Sequence, residues 1–303
     1  MADKWLISII GPTAIGKTSL AIKLAQHFGT EIISADSRQF FKEMSIGTAV
    51  PSKEELAAAK HHFIQNISIF DPYSVGDFER EAISLLQKLF SINDIVIMVG
   101  GSGLYIDAVT KGLDKFPEID PAIRTRLNEL LKVVGISALQ KQLSDLDPEY
   151  YQKVDIDNPH RLIRALEICI GAGKPFSSFL DQEKDPREFK TLSLGIDADR
   201  KIIYDRINQR VDLMVKAGLL EEVKSLEPYK SLNALQTVGY RELFKYFEGD
   251  WTLDFAISEI KKNSRRFAKR QLTWFKKNEE TIWVNYQEDI KDIVEKINQK
   301  ITS

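Results

Sequence analysis

The first hundred residues alternate between short apolar runs and helical periodicity. Apolar runs predict strands at 5–10, 31–35, 61–68 and 94–99. Apolar residues spaced three and four apart predict helices at 17–28, 53–60 and 77–91. Because strands that alternate with helices usually form one parallel sheet with helices on its faces, this part of the chain is predicted to be an α/β domain.

The pattern changes over 113–188, where strand signals fade. Helical periodicity there predicts helices at 119–134, 137–143 and 159–169. Two further strands are predicted at 190–197 and 281–285. Three further helices are predicted at 199–227, 238–247 and 252–277. We therefore expect an α/β core formed by 1–112 and 189–303, with 113–188 inserted as an all-helical domain.

The junction of the first predicted strand and helix carries the most specific motif. It reads Gly-Pro-Thr-Ala-Ile-Gly-Lys-Thr, a complete G-x-x-x-x-G-K-[ST] phosphate loop, and indicates a P-loop NTPase-like core. Its glycines let several backbone N–H groups point at one anion, and the helix that follows adds its positive end. The loop predicts a bound polyphosphate with Mg²⁺ as cofactor, without saying which polyphosphate. The anion is assigned to Gly11, Pro12, Thr13, Ala14, Ile15, Gly16, Lys17 and Thr18, and the metal to the Thr18 hydroxyl.

Composition changes this picture little. The 303 residues carry a net charge of −2, which argues against a protein coated in basic surface. The single cysteine, Cys169, excludes an internal disulfide framework and a cysteine-rich zinc site, and its helical position predicts a buried side chain. Because neither a secretory leader nor a bilayer-length apolar run is visible, we expect a cytoplasmic enzyme with no membrane partner.

A carboxylate follows the second predicted strand, in the run Ala35-Asp-Ser-Arg-Gln39. Because residues just past the carboxyl ends of parallel strands line one cleft, we expect Asp36 to share a cleft with the phosphate loop. A carboxylate there can hold Mg²⁺ through water, orient a sugar or take a proton from a nucleophile. The alternative is an Asp-Ser pair that only forms a turn or caps a helix.

The strand predicted at 94–99 ends in Gly100-Gly-Ser-Gly-Leu-Tyr105. Many nucleoside-triphosphate hydrolases have a metal-holding acid near this position, and this chain has none there, which argues against a hydrolase. Three glycines beside the Ser102 hydroxyl predict that something large comes close to the backbone. The alternative is a tight turn that simply needs the glycines.

Two charged stretches are candidate binding surfaces. In 155–168, Arg161 and Arg164 share one face of a helix predicted to start at Pro159 after an Asn158 cap. The stretch 261–277 has no acid and eight basic residues, namely Lys261, Lys262, Arg265, Arg266, Lys269, Arg270, Lys276 and Lys277.

An apolar stripe is expected to pack the 261–277 helix down; it consists of Phe267, Ala268, Leu272 and Phe275. The basic residues would then form the positive band that phosphate backbones require, and Gln271 and Trp274 can add base contacts or stacking. A solvated charged face is the alternative for the first stretch, and an ordinary amphipathic helix for the second.

Together these motifs resemble the bacterial tRNA dimethylallyltransferase family, also called tRNA isopentenyltransferase. The resemblance runs in order over nearly the whole chain, through Gly11–Thr18, Asp36–Gln39, Pro72–Phe78, Gly100–Tyr105, Asn158–Glu167, Val238–Glu242 and Arg266–Trp274. Two blocks, Gly-Pro-Thr-Ala-x-Gly-Lys-Thr and Lys-Arg-Gln-x-Thr-Trp, are together far more specific than a phosphate loop alone.

The resemblance implies transfer of a dimethylallyl group from dimethylallyl diphosphate to the N6 amine of the adenosine just 3′ of the tRNA anticodon. Asp36 would be the general base, Thr18 would hold Mg²⁺, Arg210 would help to hold the diphosphate, and the inserted domain would grip the anticodon stem-loop. The implied RNA contacts are Asp36, Ser37, Arg38, Gln39, Ser102, Arg124, His160, Arg161, Leu162, Ile163, Arg164, Gln236, Thr237, Val238, Gly239, Tyr240 and Arg241, to which the basic stretch adds Lys269, Arg270, Gln271 and Trp274.

The chain departs from the family pattern at two positions. Position 102 is more often threonine, and His160 stands where other polar or basic residues are usual. Three alternatives share the phosphate loop: a small-molecule kinase that uses ATP, an isopentenyltransferase that acts on free adenine nucleotides, and a non-catalytic RNA-binding switch. The two enzymes leave the basic stretch without a role. We expect the protein to act as a monomer.

Overall fold

Every strand of the central sheet runs parallel to its neighbours, which is the α/β class that the sequence predicted. The computed structural model describes residues 3–302, and within them the sheet has six strands in the order β3-β2-β4-β1-β5-β6. The strands are β1 (Trp5–Ile10), β2 (Ile32–Ser34), β3 (His61–His62), β4 (Ile95–Val99), β5 (Lys190–Asp197) and β6 (Ile282–Asn285).

Thirteen α-helices accompany the sheet in the described part of the chain. They are α1 (Lys17–Phe28), α2 (Lys53–Ala58), α3 (Val75–Phe90), α4 (Gly103–Lys111), α5 (Pro121–Val133), α6 (Ile136–Leu146), α7 (Pro148–Lys153), α8 (Pro159–Ala172), α9 (Arg200–Lys216), α10 (Leu219–Leu226), α11 (Tyr240–Phe247), α12 (Leu253–Phe275) and α13 (Ile290–Thr302). Short 3₁₀ turns add Phe176–Phe179, Glu227–Tyr229 and Asn233–Leu235.

Contacts divide the chain into two compact units. The first runs to Lys111 and resumes at Arg187, so it contains the whole sheet; the second is Gly112–Pro186. The second unit has its own apolar cluster, built on α5, α6 and α8. Cys169 is buried in that cluster as predicted, where burial raises the pKa of its thiol and its Sγ accepts a hydrogen bond from the Phe176 amide.

β1 lies inside the sheet, and all six of its residues are buried. Its side chains alternate between two apolar clusters. Ile7 and Ile9 pack on one face with α1, α9 and α13, whereas Leu6 and Ile10 pack on the other face with α3 and α4. A strand buried on both faces is held firmly in place, and the phosphate loop follows directly from its carboxyl end.

Two predicted elements are shorter than expected. The strand predicted at 61–68 is limited to His61–His62, because positive φ angles at Phe63 (62°) and Gln65 (47°) turn the chain. The helix predicted at 199–227 breaks into α9 and α10 at Gly218, whose φ of 102° lies in the left-handed region.

Sequence patterns missed α4, α7 and α13. The signal for α13 is present, because Ile293, Val294 and Ile297 lie three and four apart and are buried. Its amphipathic face closes one side of the sheet against α1. Among residues 3–302, no helix combines the length and the apolar character that a membrane crossing needs.

Candidate active site

The phosphate loop curls between β1 and α1 through three unusual backbone conformations. The φ angles are 144° at Gly11, 109° at Gly16 and 65° at Ala14. A Cβ at position 11 would lie 2.7 Å from the carbonyl oxygen of Ile196, so only glycine allows the loop to pass so close to β5. Gly16 is the N-cap residue of α1, which places the positive end of that helix at the loop.

Lys17 bends back over the loop. Its Nζ donates hydrogen bonds to the carbonyl oxygens of Gly11 (3.0 Å) and Pro12 (2.8 Å). Burial lowers the pKa of Lys17 to about 7; the negative Asp36 opposes this shift and the positive Arg210 adds to it. A bound polyphosphate would favour the protonated amine and thereby reverse the effect of burial.

Helix α9 brings two arginines to the same loop. A guanidinium nitrogen of Arg210 lies 3.5 Å from Thr13 Oγ1, and Arg206 Nε donates to the carbonyl oxygen of Ala14 at 2.8 Å. Burial lowers the pKa of Arg210, and Asp36 opposes that shift. The resemblance singled out Arg210; Arg206, one helical turn earlier, was missed although it lies on the same face.

Asp36 stands where two cavities meet. The larger, about 520 Å³, is lined by the phosphate loop, Arg206 and Arg210. The smaller, about 300 Å³, is lined by Ser37, Arg38, Ser102 and the segment 236–241 except Tyr240. Both cavities are also lined by Asp36, Thr13, Thr48, Ala49, Arg210 and Phe267, so a ligand in one cavity can reach a ligand in the other at this point.

The donor set in the larger cavity suits a hard cation bound to phosphate. Both the Thr18 hydroxyl and the Asp36 carboxylate line that cavity. Mg²⁺ prefers oxygen ligands and usually takes only one or two from protein, with phosphate oxygens and water completing its shell. In the described part of the chain no cluster of three or more His, Cys, Asp or Glu residues is arranged for a metal. The residues present therefore fit Mg²⁺ bound together with a polyphosphate.

The side chains that follow Asp36 are mostly held by protein. The Asp36 carboxylate accepts a hydrogen bond from the Arg38 amide at 3.0 Å, so the turn-forming role is also present. The Arg38 guanidinium donates to the carbonyl oxygens of Asn233 and Ala234, and burial lowers its pKa. Gln39 Nε2 donates to the carbonyl oxygens of Thr48 and Ala49. These contacts connect the Asp36 turn to the loops that surround the smaller cavity.

Ser102 stabilises the same turn through hydrogen bonds to Ser37. Its hydroxyl oxygen accepts a hydrogen bond from the Ser37 amide at 3.1 Å, and the two serine hydroxyls lie 3.1 Å apart. Ser102 also lines the smaller cavity. Serine keeps the hydroxyl that threonine would supply at this position.

The glycine-rich segment borders both cavities, because Gly100 and Gly101 line the larger one and Ser102 lines the smaller one, and it is closely packed on its other side. A Cβ would lie 2.3 Å from the Ala35 carbonyl oxygen at Gly100, and 2.3 Å from Gln271 Nε2 at Gly101. At Gly103 it would lie 2.3 Å from the indole of Trp274. Protein atoms occupy the position that a Cβ would take at each of these glycines, so the glycines allow close packing of the segment against α12 and the residue that follows β2.

Gln271 is buried between the phosphate loop and the glycine-rich segment. The side chain is 5% exposed, its Oε1 accepts a hydrogen bond from the Thr13 amide at 2.8 Å, and its Nε2 donates to the Gly101 carbonyl oxygen at 2.9 Å. Both groups of the carboxamide are engaged by the backbone, and the residue also lines the larger cavity. The contact of Gln271 with RNA stays a prediction, and the contacts that the structure shows are to two backbone segments.

The side chains of Tyr240, Leu162 and Ile163 are unsuited to contact RNA. They are 0%, 0% and 3% exposed, because each belongs to an apolar cluster. The resemblance selected whole segments, and these side chains point to the interior while their neighbours point outward. In the second unit His160 and Arg161 are exposed.

Two further arginines of the second unit share one carboxylate. Arg124 Nε donates to Glu167 Oε2 at 3.1 Å, and Arg164 reaches the same oxygen at 3.5 Å. Arg164 also lies over the ring of Phe116, 5.0 Å from its centroid. The buried Glu167 thus orients both guanidinium groups, which lie at the surface of this unit.

The apolar stripe of α12 is confirmed at three of its four positions. Ala268 and Phe275 are buried and Leu272 packs against the same core as Ala268. Phe267 is 39% exposed and lines both cavities, so its ring faces the site and not the core. Helical spacing identified Phe267 as part of an apolar face, but the neighbouring elements leave that position open.

The basic residues of 261–277 fall into two groups. The members of the first group bind protein partners: Lys261 pairs with Asp212, Lys276 with Asp197 and Lys262 with Glu259, and Arg265 is bonded to Asn208. The outward group lines an exposed groove of about 500 Å³ and consists of Arg266, Lys269, Arg270 and Lys277, together with Thr273 and Trp274. We call this the basic groove. The positive surface is narrower than the sequence suggested.

Comparison with known proteins identifies the family. The family described as IPP transferase matches residues 39–278. A protein of Christiangramia forsetii named tRNA dimethylallyltransferase is 64% identical over 301 residues, which are 99% of this chain and 100% of the relative. The tRNA dimethylallyltransferase of Flavobacterium johnsoniae is 60% identical over 306 residues, 99% of each protein.

Solved structures show the same fold. A full-length tRNA isopentenylpyrophosphate transferase from Bacillus halodurans superposes with a TM-score of 0.73 at 35% identity and covers 99% of this chain and 97% of its own. A eukaryotic dimethylallyltransferase described as acting on tRNA has a TM-score of 0.78 at 25% identity, covering 94% of this chain and 74% of its own. With its phosphate loop, its Asp36 turn and its nearly full-length identity to these enzymes, this chain belongs to the IPP transferase family of tRNA dimethylallyltransferases.

Proposed function

We propose that this protein transfers a dimethylallyl group from dimethylallyl diphosphate to the N6 amine of the adenosine 3′ of the anticodon in tRNA. One observation carries the proposal: Asp36 lines both a cavity built on the phosphate loop and a second cavity built on the Ser37, Ser102 and 236–241 segments. An acceptor and a diphosphate donor can therefore meet at one carboxylate. The kinase and free-nucleotide alternatives are not favoured by the named relatives.

The reaction forms one bond and breaks another at the same carbon. The N6 nitrogen attacks C1 of the dimethylallyl group, the C1–O bond breaks, and its electron pair leaves with diphosphate. The nitrogen loses a proton, which Asp36 accepts. An exocyclic adenine amine is a weak nucleophile because its lone pair is delocalised into the ring, so removing the proton as the bond forms contributes about 10²–10⁴-fold to the rate.

Diphosphate leaves readily only when its growing charge is neutralised. Lys17 and Arg210 line the larger cavity, and the amides at the N-terminus of α1 add partial positive charge. Thr18, together with Asp36 in the same cavity, would hold Mg²⁺, which supplies Lewis-acid stabilisation of diphosphate when bound. Arg206 lines the same cavity and holds the loop through the Ala14 carbonyl oxygen.

The acceptor base must leave the anticodon loop to reach Asp36. Splaying a base out of an RNA loop costs a few kcal/mol, which contacts to the surrounding nucleotides must offset. In the first unit we assign those contacts to Arg241, Gln236, Thr237, Val238 and Gly239 at the smaller cavity and to the basic groove. In the second unit we assign contacts with the anticodon stem-loop to His160, Arg161, Arg124 and Arg164. We propose that one copy of the chain carries out the reaction.

A transfer assay tests this function. Purified protein is mixed with Mg²⁺ and radiolabelled dimethylallyl diphosphate, and with either an anticodon stem-loop that has adenosine 3′ of the anticodon, the same stem-loop with uridine there, or free AMP. We expect label in the adenosine stem-loop alone. Label in AMP alone, or consumption of ATP with no label in any acceptor, would overturn the proposal.

A further inference from the structure

A single side chain bridges two parts of the site. Gln271 accepts a hydrogen bond from the Thr13 amide, in the phosphate loop, and donates one to the carbonyl oxygen of Gly101. The residue after Gly101 is Ser102, whose hydroxyl supports the Ser37 amide next to Asp36. The carboxamide therefore connects the donor side of the site to the segment that braces the candidate base.

We propose that Gln271 is a positioning residue that sets the phosphate loop at a fixed distance from the Asp36 turn. It acts through the Thr13 amide and the Gly101 carbonyl oxygen, at the wall of the larger cavity that it helps to line. The inference rests on the proposed function only where its test measures the rate of transfer to RNA.

The phosphate loop needs an external restraint of this kind. Ala14, with a φ of 65°, is held in a conformation that non-glycine residues seldom adopt. Pro12 has no amide hydrogen, so the Thr13 N–H is the first donor after Gly11 that can fix the path of the loop. Gln271 binds that N–H and Arg206 binds the Ala14 carbonyl, so neighbouring helices hold the strained turn from both sides.

Gly101 and Gln271 form a matched pair. A Cβ at position 101 would lie 2.3 Å from Nε2, so a larger residue there would push the carboxamide away from the backbone that it binds. One helical turn later, Trp274 packs on Gly103 and its Nε1 donates to Asp107 at 2.9 Å. These two contacts give α12 one register against the 100–103 segment, and the outward Lys269 and Arg270 are not part of it.

Gln271→Met is the direct test, because methionine has a similar length and forms neither hydrogen bond. Equilibrium dialysis with labelled dimethylallyl diphosphate and Mg²⁺, without RNA, measures donor binding. Filter binding measures the Kd for the stem-loop, and single-turnover labelling measures the chemical step. Since a displacement of about 1 Å can cost 10²-fold, we expect donor binding to weaken about tenfold and the chemical rate to fall about 10- to 100-fold. The Kd for the stem-loop should stay within twofold.

Two further variants make the result decisive. Ser258→Ala, an exposed position on the same helix, should leave all three quantities unchanged. Gly101→Ala displaces the carboxamide without changing residue 271. It should also weaken donor binding about tenfold, and this result can be measured even if the methionine variant fails to fold. Donor affinity within twofold of the parent protein in a folded Gln271→Met or Gly101→Ala variant would overturn the inference. Normal donor binding in the parent protein without transfer to RNA would instead count against the proposed function alone.

Discussion

The phenol of Tyr240 donates a hydrogen bond to the carboxylate of Glu222 at 2.6 Å. The same carboxylate accepts the backbone amides of Ser45, Ile46 and Gly47 at 2.7–3.0 Å. The turn that it caps continues into Thr48 and Ala49, which line both cavities. Burial and then the negative charge of Glu222 raise the pKa of Tyr240, so the phenol stays protonated and continues to donate.

Removing that donor should destabilise the fold. Tyr240→Phe leaves the ring in place but deprives the carboxylate of one hydrogen bond, and hydrogen bonds to charged groups contribute about 1.5–3 kcal/mol. We expect the free energy of unfolding, measured in urea, to fall by about that amount. Tyr229→Phe is the control, because this phenol belongs to a side chain that is 43% exposed. Equal stabilities of the two variants would contradict this assignment.

Asp36→Asn should abolish transfer and leave RNA binding nearly intact. An amide cannot accept the N6 proton, so we expect the single-turnover rate to fall by about 10²–10⁴-fold. The Kd for the stem-loop, measured by filter binding, should change little. Asp254→Asn, at an exposed position in the first turn of α12, controls for loss of a negative charge. A single-turnover rate near that of the parent protein would contradict the role of Asp36 as the general base.

Donor capture should weaken as pH rises through about 7. Burial lowers the pKa of Lys17 to about 7, so the amine is charged below this pH and neutral above it in the free protein. Because only the ammonium attracts diphosphate, kcat/KM for the donor should fall on the alkaline side. In Lys17→Arg the guanidinium stays charged, so that alkaline decline should disappear even if activity is lower. A decline of the same shape in both proteins would show that another group titrates.

The basic groove should set the salt dependence of RNA binding. Lys269→Ala with Arg270→Ala should weaken stem-loop binding and make log Kd less steep in log[salt], by roughly 0.7 for each lost phosphate contact. The matched control removes two charges from the same stretch that pair with protein, as Lys261→Ala with Lys276→Ala. An unchanged slope in the groove variant, or an equal change in the control, would remove this groove from the RNA surface.

Gly100→Ala should be more harmful than an ordinary glycine substitution. Its Cβ would lie 2.3 Å from the Ala35 carbonyl oxygen, and neither backbone can yield easily where β2 and β4 pair. We expect a loss of about 1–3 kcal/mol in the free energy of unfolding, as for overpacked cores. At Gly76 the nearest atom is 3.7 Å away, so Gly76→Ala should have unchanged or slightly higher stability.

Local sequence patterns were sufficient to predict features that depend on residues close together in the chain. The parallel sheet followed from the alternation of strand and helix signals, and the phosphate loop from its eight residues. The strand at 61–68 failed because positive φ angles at Phe63 and Gln65 depend on contacts such as that of the Gln65 amide with the Gln39 carbonyl. A run of apolar residues does not reveal such a contact.

Helical periodicity identified α12 but not what surrounds it. Three residues of its apolar stripe meet the core, while Phe267 meets a cavity. The same limit applies to Leu162 and Ile163, which lie in a segment chosen by resemblance and are buried beside an exposed Arg161. Helical periodicity identifies which residues share one face of a helix. The elements that pack on that face come from distant parts of the chain.

The sequence by itself determined the α/β class, the phosphate loop and the family, because each depends on residues close together or on motifs in order. Only the tertiary structure decided which polar side chains form hydrogen bonds within the protein and which are left to bind a ligand. Gln271 meets Thr13 across 258 residues and Gly101 across 170, and no local pattern predicts such partners. The reason is physical: a buried amide must satisfy its hydrogen bonds wherever the fold offers a partner.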